Sequence, residues 1–178
     1  MIQLNGAGHD RFRSELTNGN IELIYKSAPL HDIGKVGVPD SILMKPGKLT
    51  NDEFDEMKKH TVYGRDAIIA AEKMLGGEST FLRYAREIAH SHQEKWDGSG
   101  YPDGLKEKDI PFSGRLMAVA DVYDALISKR VYKPPIPHNK AIGIIKHGKG
   151  THFDPDMVDA LLNIEDEFRN IALEFDDS

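Results

Sequence analysis

Cysteine is absent from the 178 residues, tryptophan occurs once, and no apolar run approaches the length of a membrane span. The first absence excludes disulfides, thiolate nucleophiles and sulfur-ligated zinc, and leaves His, Asp and Glu as the strong metal ligands available. A metal held here would have nitrogen and oxygen ligands, which suits iron, manganese or another first-row ion. Positive charge is also short, with 23 Lys+Arg against 29 Asp+Glu and a net charge of -6. Broad attraction to DNA, RNA or an anionic membrane is therefore not expected, and an anionic ligand needs a local basic cluster. The segment Met1 to Gly6 lacks the basic start and apolar stretch of a signal peptide, so a cytoplasmic location is expected.

Strict apolar/polar alternation is missing too, whereas spacings of three and four recur, which predicts an all-α domain. Ile21, Leu23, Ile24, Ala28 and Leu30 predict a helix running to His31, ended by Gly34, Gly37 and Pro39. Thr50 and Glu53 have capping-box spacing, and Phe54, Met57, Ile68 and Ile69 predict one continuous helix to Leu75. Phe81, Tyr84, Ala85, Ile88 and Ala89 predict the next helix, which carries His90 and His92 near its end. Gly98, Gly100, Pro102, Gly104 and Pro111 predict a loop over 97–111. Ser113 is expected to cap a helix that buries Leu116, Val119, Ala120, Tyr123 and Ile127 and turns Asp121 and Asp124 to its other side. A short helix through Ile142, Ile144 and Ile145 follows, then one begun by Asp154-Pro155 that buries Met157, Val158, Leu161 and Leu162, then a frayed acidic tail.

Metal-ligand residue types are scattered at helix ends: His31-Asp32, His60, His92 and Asp121. A metal site in a bundle needs ligands from separate helices that converge, although each of these residues alone could be ordinary surface chemistry. Read together, the strings are more specific. His31-Asp32-Ile33-Gly34-Lys35, Met57-Lys58-Lys59-His60, Ser91-His92-Gln93-Glu94-Lys95-Trp96-Asp97-Gly98-Ser99-Gly100-Tyr101-Pro102, Asp121-Val122-Tyr123-Asp124, Arg130-Val131-Tyr132-Lys133 and His152-Phe153-Asp154-Pro155 follow one another in a fixed order. That series resembles the HD-GYP branch of the HD superfamily of metal-dependent phosphohydrolases, from about residue 10 to about residue 165.

The resemblance implies an HD-domain helical bundle and a centre of two or three divalent ions, iron or manganese foremost. His31, Asp32, His60, His92 and Asp121 would be the ligands, with Asp32 bridging two ions. It gives catalytic roles to Asp32 and Lys35, and binding of substrate phosphates to Lys35, Arg130 and Lys133. Asp124, three residues after Asp121, is either a residue that orients this substrate site or a surface carboxylate. The Gly100-Tyr101-Pro102 loop would fix ligand-bearing helices or meet partners, and Trp96 is read as packing.

Two departures bear on activity. The family usually has paired histidines where this chain has His92-Gln93, and an amide oxygen is a poorer ligand than imidazole. The family's upstream ligand-bearing helix is expected to be missing, because the likeness fades over residues 1–9, and His9 is read as a surface residue. The expected layout is a non-matching segment 1–9, a domain 10–170 and a tail 171–178. An absent helix would bare apolar faces and favour a homodimer. The first expectation for function is hydrolysis of cyclic di-GMP to pGpG and GMP. The alternative is a non-catalytic module that binds a cyclic dinucleotide or a signalling partner such as a diguanylate cyclase. A nucleotide phosphohydrolase of other specificity is disfavoured by the Gly-Tyr-Pro loop and the Arg130/Lys133 pair. Neither DNA nor a membrane is an expected partner.

Overall fold

The computed structural model describes residues 12, 15–77, 79–128 and 135–176. His9, Arg130 and Lys133, and the expected segment 1–9, lie outside the described residues. Among those described there is no strand, only an isolated bridge between Lys149 and Phe153. The all-α reading holds.

The chain runs through α1 (Asn18–Ser27), 3-10 turns at Ala28–Leu30 and Ile33–Gly37, α2 (Asp40–Leu43), α3 (Asn51–Lys58), α4 (His60–Met74) and α5 (Thr80–Ser91). After the loop come α6 (Phe112–Ile127), α7 (His138–His147), α8 (Pro155–Asn163) and α9 (Glu165–Asp176). Helix α5 is central because its apolar residues face two ways. Tyr84 and Ile88 join Val119, Tyr123, Ile145 and Val158 in the larger core, while Ala85 and Ala89 pack with Ile68 of α4. The small side chains on the second face let α4 come close, and α4 in turn carries the Ile33–Gly37 turn against it.

Gly34 makes that approach workable. A Cβ there would fall 1.9 Å from the His60 carbonyl oxygen and 2.3 Å from the Gly64 nitrogen, so only a hydrogen fits. Thr50 caps α3 as a full capping box with Glu53, and Asp154 caps α8 by accepting from the Asp156 N–H at 2.9 Å.

Four expectations need correction. The predicted helix from Thr50 to Leu75 is broken at Lys59. His60 Nδ1–H donates to the Met57 carbonyl at 2.7 Å and Thr61 Oγ1 to that of Lys58 at 2.9 Å, so side chains take acceptors that a continuous helix would use. Ser113 does not cap α6. Pro111 occupies that position, and Ser113 is buried, donating to Glu87 Oε2 at 2.7 Å. Leu116, expected inside, is exposed because it lies on the outer flank of its helix. The expected frayed tail is instead α9, whose Phe168 ring packs edge-on to Tyr123 at 5.3 Å and whose first turn carries Glu165, Asp166 and Glu167 where the helix dipole favours acids.

Candidate metal centre

Three of the predicted ligand residues come to one point: Asp32, His60 and His92 each offer an atom within 4.8 Å of the others. Asp32 sits between the two 3-10 turns, His60 at the first position of α4 and His92 at the C-terminal cap of α5. The Asp32 Oδ1 atom lies 3.5 Å from His60 Nε2 and 3.8 Å from His92 Nε2. The other oxygen, Oδ2, lies 3.2 Å from His31 Nε2 and 2.5 Å from Lys35 Nζ. His31 Nε2 is also 3.7 Å from Asp121 Oδ1 on α6. His31, His60 and His92 thus face the Asp32 carboxylate, which presents one oxygen to each half of the cluster, and Asp121 lies next to His31.

Ring orientation is fixed from behind. His31 Nδ1 faces the Ala28 carbonyl at 2.9 Å, His60 Nδ1 that of Met57, and His92 Nδ1 that of Ile88 at 3.0 Å. A carbonyl only accepts, so each Nδ1 carries a proton; His60 and His92 turn an Nε2 lone pair to the cluster, whereas His31 Nε2–H can donate to Asp32 Oδ2. Consequently His60 and His92, both 2 % exposed, face each other lone pair to lone pair at 3.5 Å. That contact is unfavourable unless a cation or a proton lies between the two nitrogens.

The electrostatics decide between those two. Burial lowers His60, and burial followed by the charges of His60 and His31 pushes His92 down to about 4. A second proton on either ring is therefore disfavoured at neutral pH, and each keeps only its Nδ1–H. Burial would raise the Asp32 carboxyl, but hydrogen bonds from His31 and Lys35 hold it well below the usual carboxylate range. Burial would lower His31, yet the hydrogen bond and charge of Asp32 leave it raised. The neutral imidazoles of His60 and His92 beside the ionised Asp32 form a nitrogen and oxygen donor set that fits a first-row divalent ion.

Lys35 lies on Asp32, as described. Asp124 is exposed and accepts from Ser128 Oγ at 3.1 Å. Arg130 and Lys133 fall outside the described residues.

Two residues at the site were not singled out for it in the sequence. Tyr101 packs edge-on to His60, with ring centroids 6.4 Å apart. Burial, then Asp32 and Asp121, push its hydroxyl up to about 12, so it stays a hydrogen-bond donor. Glu94, 2 % exposed, accepts from the backbone N–H groups of Asp103, Gly104 and Leu105 at 2.8, 3.1 and 3.1 Å. That buried carboxylate pins the loop that carries Tyr101, with further support from the Trp96 and Asp97 N–H groups bonded to the carbonyls of His152 and Thr151. A lone Glu after a ligand histidine carries no spacing signal for this task.

The HD domain family model matches residues 13–157. The chain belongs to the HD domain family. This HD domain is 57% identical over 97% of its length to a cyclic di-GMP phosphodiesterase of Vibrio cholerae, and covers 35% of that protein. It is 47% identical over 82% of its length to a cyclic di-GMP phosphodiesterase of Thermotoga maritima, covering 38%. A 3'3'-cGAMP-specific phosphodiesterase of Vibrio cholerae matches at 46% over 86% of this chain and is covered to 28%. The chain thus spans little more than a third of these relatives at most. The relatives agree with the HD-GYP resemblance, and divalent metal binding goes with the HD domain. Among the described residues no helix is long and apolar enough to cross a membrane.

Proposed function

We propose that this HD domain hydrolyses a phosphodiester bond of a cyclic dinucleotide, cyclic di-GMP foremost, with divalent cations held by His31, Asp32, His60, His92 and Asp121. The observation that carries this is the pair of neutral imidazole lone pairs of His60 and His92 aimed at each other beside the ionised Asp32. Iron(II) or manganese would suit the nitrogen and oxygen donors of these residues. Bound there, such cations supply Lewis acidity, which activates water and offsets the charge that builds on the phosphoryl oxygens.

The chain's own groups do the rest. The histidines hold their lone pairs in place through their Nδ1–H bonds, and Asp32 stays ionised through the working pH range. Lys35 exchanges its bond to Asp32 for one to a phosphate oxygen of the substrate, and Arg130 and Lys133 add further positive charge for the second phosphate. Tyr101 keeps its proton beside two carboxylates and covers His60 from solvent. Cyclic di-GMP is the choice of substrate because the named relatives with the highest identity act on it, while cGAMP is the competitor.

Gln93, where the family has a second histidine, favours another reading, a module that binds the dinucleotide or a diguanylate cyclase without turnover. Metal analysis of the purified chain together with an assay on cyclic di-GMP in manganese or iron(II) separates the two. Bound metal with pGpG production supports the enzyme, whereas dinucleotide binding without product supports the module.

A further inference from the structure

A chain of rings leads out of the centre. His92 lies 5.4 Å from His60, His60 6.4 Å from Tyr101, and Tyr101 6.1 Å from Phe54, each pair close to edge-on. His92 and His60 are buried, Tyr101 is half-buried, and Phe54, on α3, is 47% exposed. Lys58 Nζ lies 5.3 Å from the Phe54 ring centroid, so the π surface of this ring is already approached by a charged group. Phe54 therefore stands at the mouth of the site, two ring contacts from a ligand histidine. A dinucleotide held by its phosphate at Asp32 carries its bases one sugar away, and a base has a planar face that stacks on such a ring. Phenylalanine also has a local use four residues after the Thr50 cap, where it can staple the helix start. The test has to exclude that use as the whole explanation.

We propose that Phe54 is the stacking platform for one purine base of the dinucleotide whose phosphate lies at the Asp32, His60 and His92 centre. This rests on the cyclic dinucleotide reading above and adds the subsite that reads the base.

The test measures equilibrium binding of cyclic di-GMP and of inorganic phosphate to the manganese-loaded chain and its variants. Phe54→Ala weakens cyclic di-GMP by about tenfold, the size of one lost base stack. Phe54→Leu, which keeps an apolar side chain for the helix staple but no ring, is weakened alike, and Phe54→Trp binds as tightly as the parent. Manganese content and phosphate affinity stay at parent values in all three, since phosphate offers no base. Where turnover is measured, KM rises in Phe54→Ala and Phe54→Leu with kcat unchanged. Parent affinity for cyclic di-GMP in Phe54→Ala or in Phe54→Leu overturns the platform and leaves the dinucleotide reading intact. A matching loss of phosphate affinity also overturns it, because the substitution then distorts the centre. If the parent chain binds phosphate but no cyclic dinucleotide, the substrate reading falls and takes the platform with it.

Discussion

Gly34 lies against Gly64 so closely that a Cβ on the first would overlap the backbone nitrogen of the second. The HD turn and the start of α4 therefore meet main chain to main chain, and this contact sets Asp32 beside His60. Gly34→Ala has no flexible side chain to push aside. It should cost about 1–3 kcal/mol, as overpacking does, and lower the metal content even in the fraction that stays folded. Urea unfolding and metal analysis of the same preparation check both; a parent-like stability would mean that the turn can move.

The pH response of the metal-free chain carries a sign. His92 titrates near 6.5 when unfolded and at about 4 when folded. Between those values the unfolded state holds the extra proton, so stability is kept above 6.5 and lost as pH falls towards 4. His31, raised by Asp32, acts in the opposite sense. The clean readout is therefore a difference: His92→Asn should flatten the fall in urea midpoint between pH 6.5 and 4. An unchanged slope would show that His92 is not the group responsible.

Glu94→Gln keeps the shape of the side chain and removes its charge. Three backbone donors then share one amide oxygen in place of a carboxylate, at a cost of about 1.5–3 kcal/mol for bonds to a charged group. Amide exchange at Asp103, Gly104 and Leu105 should speed up well before that in α5. Equal protection in variant and parent would mean that the loop is held by other contacts.

Gln93→His restores the pair of histidines found in the family. Metal content and the rate on cyclic di-GMP are both expected to rise. If neither changes, the amide at this position is not what limits the centre.

Much of the fold was legible because its signals are local. The capping box of Thr50 and Glu53, the Asp154-Pro155 start of α8 and the three-four spacing of α5 each depend on neighbours within a turn. The ordered strings pointed to Asp32, His60 and His92, and these three residues do meet at one point. What escaped depends on long-range packing. The break at Lys59 comes from side chains competing for carbonyls, and Phe54, read as part of an apolar face, stands half in solvent beside Tyr101. The Glu94 nest could not be read because its donors come from a loop whose path only the finished fold defines.

Each imidazole is tethered to a carbonyl of the turn just before it, so a ring and its helix end cannot shift separately. Where α4 and α5 meet, Gly64 and Ala89 add little grip of their own. An ion drawn to the three Nε2 atoms would then act as a rivet through three backbone segments, and stripping it with a chelator should loosen the first turn of α4 and the last turn of α5 together.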